Sequence, residues 1–400
     1  MIDYNKKLAA AKMEADLADK IEAISTFIFQ NPELGGEEYK SAEYLVNIMK
    51  REGFEVTYPY AGEKTGFRAE KGNGNGPTIA LLAEYDALPG YGENGEPGHA
   101  CGHNWIAATS AGASIVLGRM CNEFNGKIVL IGTPAEESYN AKVGMINQGG
   151  FDDIDIILQA HLEESTEIDP GALALDSLEF YFTGKAAHAA QFPHDGINAL
   201  DAVQLTYAGI NALRQHVPSD VRIHGIVTDG GSAANVVPEH AACKFFVRAK
   251  RRSVLNSITE KVKNCVKGAA IMTGCQYKIV IPEPSLDDLI SVPILNKIAE
   301  ENLLNNGIDK VHREEYILPG STDIGNVSYV CPTLYMEIGM DDDVRFCVHD
   351  RQALEYADSY LAHKKMHQVV NVLVGVSFDL YEKPELVQQA KLELEKIKNR

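Results

Sequence analysis

Three potential donors stand at alternate positions in one Gly-flanked stretch, GHACGHN at residues 98–104: His99, Cys101 and His103. A lone histidine or cysteine is most often a satisfied or packed side chain. Three donors at this spacing serve no packing purpose, and no zinc finger or ribbon spaces its ligands this way. Further donors follow short apolar runs. Glu84 and Asp86 lie in LLAEYDALPG, Glu136 and Glu137 in VLIGTPAEES, His161 in IILQAHLEE and His349 in RFCVHD. Adjacent glutamates usually mark a solvated loop, yet these segments together offer thiolate, imidazole and carboxylate ligands. That set suits zinc, and its imidazole and carboxylate members suit manganese or cobalt. Five protein donors exceed the three of a catalytic zinc site, which implies two cations ~3.5–4 Å apart sharing a ligand. Cys101, deprotonated beside two cations at a helix N-terminus, can be that bridge. Adjacent side chains of extended backbone diverge. One glutamate of the pair can therefore bind metal while the other takes a proton from water attacking a polarised carbonyl.

Such residues need a scaffold that gathers them. The runs 78–83, 127–131, 154–159 and 334–338 are short and almost continuously apolar, as strands buried on both faces of a parallel sheet are. Residues 104–120 read as a helix of small residues between two of them. Leu8, Leu17, Ile21, Ile24 and Ile28 predict one amphipathic helix over the first thirty residues, ended by Asn31-Pro32. A second helix is expected over 37–51, and KGNGNGP at 71–77 reads as a turn. In a parallel sheet the carboxyl ends of such strands share one edge, where ligands bind. From 178 to 281 the rhythm changes to strand 178–183, helix 196–214, strands 221–228 and 242–249, helix 253–272 and strand 277–281. That order is the β-α-β-β-α-β of a ferredoxin-like module, bordered by Pro170-Gly171 and Pro282-Glu283-Pro284. The expected fold is α/β: a mixed, mainly parallel sheet with helices on both faces over 1–172 and 284–400, and an inserted ferredoxin-like α+β dimerisation or lid domain over 173–283.

Composition narrows the function. Four hundred residues at 45% apolar content support two cores, and 37 basic against 56 acidic residues give a formal charge of -19. That charge opposes nucleic acid and anionic membrane surfaces as partners. No apolar run is long enough to span a membrane, and the first twenty residues lack the apolar core of a signal peptide. Seven cysteines without a CxxC pair argue for free thiols and a cytoplasmic location.

At this point the chain resembles the aminoacylase and hippurate hydrolase family of co-catalytic metallopeptidases, which includes the indole-acetyl-amino-acid hydrolases. The resemblance runs through AEYDALPG, GHACGHN, TPAEE, QAHLEE, GKAAHAAQFPHDGINALDA, GGSAANVVPEHA and GSTDIGNVSYVCPT, in the family's order. It implies Cys101, His103, Glu137, His161 and His349 as metal ligands, Glu136 as general base, and a homodimer held by the inserted module. It further implies that His188 reaches the partner's site to donate to the developing oxyanion. Asn235 and Arg248 resemble the family pair that holds a substrate's α-carboxylate, although an arginine on a strand is as often a surface residue. His99, His194, His224 and His240 keep their ordinary readings, and Asp86 is a candidate for orienting a ligand. Two positions depart from the best-known members: Asn104 stands where Asp follows CGH, and Glu84-Tyr85-Asp86 replaces DMD. Both resemble the branch of Xaa-Arg dipeptidase-like proteins and the aminobenzoyl-glutamate hydrolases.

The implied activity is metal-dependent hydrolysis of the amide bond in a small dipeptide or N-acyl amino acid, with two divalent cations, manganese or zinc first and cobalt next. One rival is a cysteine-nucleophile amidase using Cys101 with His99 or His103, which leaves Glu137, His161 and His349 without a role. The other is a catalytically silent sensor of amino acids or peptides, which has no need of Glu136.

Overall fold

The computed structural model describes residues 4–92, 94–309, 311, 320–340, 344 and 346–399. The start of the first expected helix at 1–3, and Arg345 within the RFCVHD motif, lie outside them. The chain divides into two compact units, one of 1–171, 289–317 and 326–400, the other of 172–288 and 318–325. Residues 284–288 and 318–325 thus group with the second unit rather than the first.

The first unit opens with α1 (Tyr4–Ala15), α2 (Ala18–Gln30) and α3 (Tyr39–Arg51), followed by β1 (Glu55–Thr57), β2 (Phe67–Gly72) and β3 (Thr78–Ala83). Next come α4 (His103–Arg119), β4 (Lys127–Gly132), α5 (Ala141–Asn147), β5 (Ile156–Leu162) and β6 (Glu167–Ile168). The single N-terminal helix expected from periodicity is two helices, separated at Asp16-Leu17. Leu17 is buried there, whereas Leu8 is 60% exposed and takes no part in the core. No Gly or Pro marks the break, so a pattern based on spacing alone runs through it.

Beyond the second unit the chain returns with α8 (Pro293–Asn305), α9 (Ile324–Val330), β11 (Thr333–Ile338), α10 (Ala353–Tyr356), α11 (Tyr360–Glu382) and α12 (Pro384–Lys398). The seven-stranded sheet has the order β1-β2-β4-β3-β5-β11-β6. Its centre is parallel, β4 with β3, β3 with β5 and β5 with β11, while β1, β2 and β6 join antiparallel. Ile79 and Leu81 on one face of β3 and Ala80 and Leu82 on the other are all fully buried, which explains the unbroken apolar runs. Every residue of α4 from His103 to Gly118 is buried, consistent with its small side chains.

The second unit contains β7 (Ala174–Thr183), α6 (Ala199–Leu213), β8 (Arg222–Asp229), β9 (His240–Ala249), α7 (Arg252–Thr273) and β10 (Gln276–Val280). Its antiparallel sheet runs β10-β7-β9-β8, the ferredoxin-like order. Phe180, Phe182, Phe245 and Val247 form its core with Val203 and Ile210 of α6 and Ile258, Val262 and Val266 of α7. Among the described residues no helix is long and apolar enough to cross a membrane, and all seven cysteines are free thiols.

Candidate metal centre

Parallel pairing brings the carboxyl ends of β3, β4, β5 and β11 to one edge, and the loops leaving them carry the donors. Glu84 and Asp86 follow β3, and Glu136 and Glu137 follow β4. His161 lies within the last turn of pleat in β5, not beyond it as its sequence context suggests. Glu136 and Glu137 also depart from expectation, sitting in a turn rather than in extended backbone. The preceding Ala135 has φ +56°, and His349 has φ +63°. Left-handed backbone at a residue with a side chain costs about 1–3 kcal/mol. Ala135 directly precedes the two glutamates, and His349 is itself one of the candidate donors, so both outliers lie where side-chain direction matters. Cys101 and His103 bracket Gly102, the residue before α4, at φ +75°. A Cβ there would come within 3.3 Å of the Leu162 side chain, so glycine lets the turn approach β5.

Among the described residues three overlapping groups result, each with its donor atoms within 4.8 Å of one another: Cys101, His103 and His161; Cys101, Glu137 and His349; His103, Glu136 and Glu137. Cys101, His103 and Glu137 each belong to two of them, which ties the three groups into one cluster. The Cys101 Sγ lies 3.6 Å from His161 Nε2, and His349 Nε2 lies 2.9 Å from Glu137 Oε1. His161 turns its other nitrogen, Nδ1, to the Leu162 carbonyl at 2.9 Å.

Asp86 is fully inside this arrangement. Its Oδ1 accepts from His103 Nδ1 at 2.8 Å, and its Oδ2 accepts from the Glu137 backbone N–H at 2.9 Å. The first bond leaves His103 Nε2 as the nitrogen that faces the cluster, 3.9 Å from Glu137 Oε1 and 3.8 Å from Glu84 Oε2. That atom is buried with no hydrogen-bond partner. A carboxylate behind a histidine and an unpartnered nitrogen in front of it, among a thiol and carboxylates, is the arrangement of a metal ligand with its supporting shell. The residues present therefore fit divalent cations.

Electrostatics agree. Burial pushes His103 down, but Asp86, then Glu84 and Glu137, outweigh it and raise the imidazole to about 10. Burial first, then Glu137 and Glu136, drives the Cys101 thiol well above its ordinary range. Burial raises Glu137 too, yet the His349 hydrogen bond and the His103 and His349 charges hold it below the usual carboxylate range. His161 is lowered to about 4, chiefly by burial. So much negative potential around a buried thiol and imidazole is relieved by cations.

Two participants were not legible in the sequence. Lys142, fully buried in α5, pairs its Nζ with Glu84 Oε1 at 2.7 Å. Glu38, fully buried before α3, bonds the loop that carries Glu136. Both read as surface charges in sequence. Asn104 donates to Ser25 Oγ at 2.8 Å and the Ala357 carbonyl at 2.9 Å, tying α4 to α2 rather than joining the donors. His99 Nε2 faces the Ile28 carbonyl at 3.1 Å and is in none of the three groups.

In the second unit, His188 is exposed, and its Nδ1 accepts from the backbone N–H groups of Ala190 and Gln191 at 3.3 and 3.2 Å. That places the proton of the neutral ring on Nε2, the outward donor. The Asn235 carbonyl accepts from the N–H of Ala189, so the two loops lie side by side. Arg248, on β9, is half-buried with its Nε lacking a partner, and burial lowers its pKa. His224, opposite Phe246 on β8, is lowered by burial and then by Arg248 and Arg214.

A thiol, imidazoles and carboxylates gathered at the carboxyl edge of a mainly parallel sheet, with a ferredoxin-like second unit, define the class of two-domain metallohydrolases. Residues 174–271 match the model of a peptidase dimerisation domain. The chain is 31% identical over 409 residues to Xaa-Arg dipeptidase of Mus musculus, covering 98% of this chain and 92% of that protein. It is 28% identical to a p-aminobenzoyl-glutamate hydrolase component of Escherichia coli strain K12, over 96% of this chain and 92% of that one. Its fold is also that of a dinuclear metal binding peptidase of the M20 family from Bacillus subtilis, with a TM-score of 0.71, 20% identity, and coverage of 92% and 99%. The chain belongs to the M20 peptidase family, and with it to the hydrolases of amide and peptide bonds that its motifs resemble.

Proposed function

We propose that this chain is a cytoplasmic, homodimeric, dinuclear metallohydrolase that cleaves the amide bond of a small dipeptide or N-acyl amino acid bearing a free α-carboxylate. The names of the mouse and Escherichia coli relatives, a dipeptidase and an aminobenzoyl-glutamate hydrolase, support this substrate class. Manganese or zinc, with cobalt next, matches the donor set. Cys101, His103, Glu137, His161 and His349 would hold the two cations. One observation carries the reading: His103 Nε2, fixed by Asp86 behind it, is buried without a partner among the other donors.

When bound, the cations supply Lewis acidity that polarises the scissile carbonyl and acidifies the attacking water toward neutrality. Glu136 accepts that water's proton on a carboxylate oxygen and returns it to the leaving nitrogen. His188, from the partner chain, donates Nε2–H to the oxyanion as charge develops. Asn235 and Arg248 hold the substrate's α-carboxylate, a planar anion that the unpartnered guanidinium Nε suits. The cysteine-nucleophile alternative needs a thiolate, whereas burial and two glutamates hold the thiol protonated.

Glu136→Gln tests the division of labour. It should retain metal and fold while turnover falls ~10²–10⁴-fold. Glu137→Gln should lose metal affinity, measured by metal analysis after dialysis. Exchanged phenotypes refute the assignment, and full activity after exhaustive chelation refutes the metal mechanism.

A further inference from the structure

Glu38 stands immediately before α3, where a carboxylate ordinarily caps the helix. Here it does not, because Glu33 does that work: its carboxylate accepts from the N–H groups of Lys40 and Ser41 and from Ser41 Oγ, each at 3.0 Å. Glu38 makes no side-chain cap bond and is fully buried. Its Oε1 accepts from the backbone N–H of Gly36 at 2.9 Å and of Ala135 at 2.8 Å, and its Oε2 accepts from Thr65 Oγ1 at 2.7 Å. Ala135, at φ +56°, directly precedes Glu136. On the other side of Glu136, Asp86 holds the Glu137 N–H. The Pro134–Ala135 peptide, one residue ahead of the candidate base, and the Glu136–Glu137 peptide just after it are thus gripped by two buried carboxylates from distant parts of the chain. The fit is close: a Cβ on Gly35 would fall 2.1 Å from Ser138 Oγ and 3.0 Å from Ala135 Cα.

We propose that Glu38 is a positioning residue for the general base, holding the Ala135 N–H so that the Glu136 carboxylate is aimed before substrate arrives. This rests on Glu136 being the base. A displacement of about 1 Å in a reacting group can cost on the order of 10²-fold in rate, and a site is only as exact as the bonds behind it.

The test compares Glu38→Met, which removes both acceptor oxygens, with Glu38→Gln, whose amide oxygen can accept from Ala135 and Gly36 while its NH2 donates to Thr65. Each is made alone and in the Glu136→Gln background, with metal content and thermal unfolding measured on every chain. Glu38→Met should lower kcat about 10- to 100-fold at full metal content, with KM within about three-fold. Glu38→Gln should recover most of that loss. In the Glu136→Gln background Glu38→Met should cost less than about two-fold more, because it acts through a base already removed. Equal losses in both backgrounds, or no rescue by glutamine, would make Glu38 a structural residue only and overturn the proposal. If Glu136→Gln by itself leaves kcat intact, the base assignment falls and the role of Glu38 falls with it. Should Glu38→Met fail to fold, Thr65→Val releases Oε2 alone: a kcat loss of about three- to ten-fold supports the proposal, and an unaltered kcat overturns it.

Discussion

Loading this site with cations must displace protons, and the geometry sets how many. His103, raised to about 10 by Asp86, Glu84 and Glu137 against its burial, is protonated at pH 8. Cys101, pushed well above its ordinary range by burial and the two glutamates, also keeps its proton. His161, at about 4, and Glu137, below the usual carboxylate range, have none to lose. Cations bind only the deprotonated forms, so filling the site at pH 8 should release about two protons per chain from His103 and Cys101, and His349, raised by its hydrogen bond to Glu137, adds any proton it still holds. Water acidified at the site adds its own share. Each displaced proton raises apparent affinity about ten-fold per pH unit, and two raise it about 10²-fold, or ~2.7 kcal/mol. The sign is fixed: both pKa values are raised, so binding is weak at low pH and strengthens up to the His103 value near 10. Cys101→Asp isolates the thiol. A carboxyl there, even if raised by about three units from its usual ~3.9, is ionised at pH 8. Proton release should then fall by about one and the affinity slope by about ten-fold per pH unit, while the water contribution stays common to both chains. Calorimetric titration of the metal-depleted protein with manganese or zinc, in buffers of different ionisation enthalpy, counts the protons. Equal release from wild type and Cys101→Asp would remove the thiol from the ligand set. Release near zero would refute the electrostatics of His103 as well.

Three further outcomes can be checked. Mixing His188→Ala chains with Glu136→Gln chains should restore activity in verified heterodimers toward half of wild type, and heterodimers as inactive as the parents would refute action across the dimer. Lys142→Met strands the fully buried Glu84 charge and should cost ~3–5 kcal/mol in urea unfolding, most of it recovered in Lys142→Met/Glu84→Gln; a cost below ~1 kcal/mol would show the pair is solvated. Burial, then Glu163 and Glu167, raises Glu337 to about 8 from 4.5, so its contribution to stability is present below about 4.5 and lost as pH rises through 8. Glu337→Gln should therefore be more stable than wild type by ~1–3 kcal/mol at pH 9 and no different near pH 4, whereas a pH-independent difference would discount the shift.

The amino-acid order alone marked every strand of the parallel core and the β-α-β-β-α-β module, because pleat and helix periods are local properties of a few consecutive residues. It also pointed to Glu136, Glu137, His161 and His349, which follow or end strands whose carboxyl ends a parallel sheet collects at one edge, and to Cys101 and His103 by their alternate spacing in GHACGHN. Only the tertiary structure decided the rest. The break at Asp16-Leu17 carries no Gly or Pro, and it is visible only because Leu17 turns into a core that Leu8 does not reach. Glu38 and Lys142 look like surface charges among their sequence neighbours. Their burial depends on Ala135, ninety-seven positions away, and on Glu84. Asp86 likewise acquires its meaning from two bonds, to His103 and to Glu137, that no spacing along the chain foretells. A buried charge is tolerated only when a partner meets it. Local sequence states the charge, and long-range packing supplies the partner.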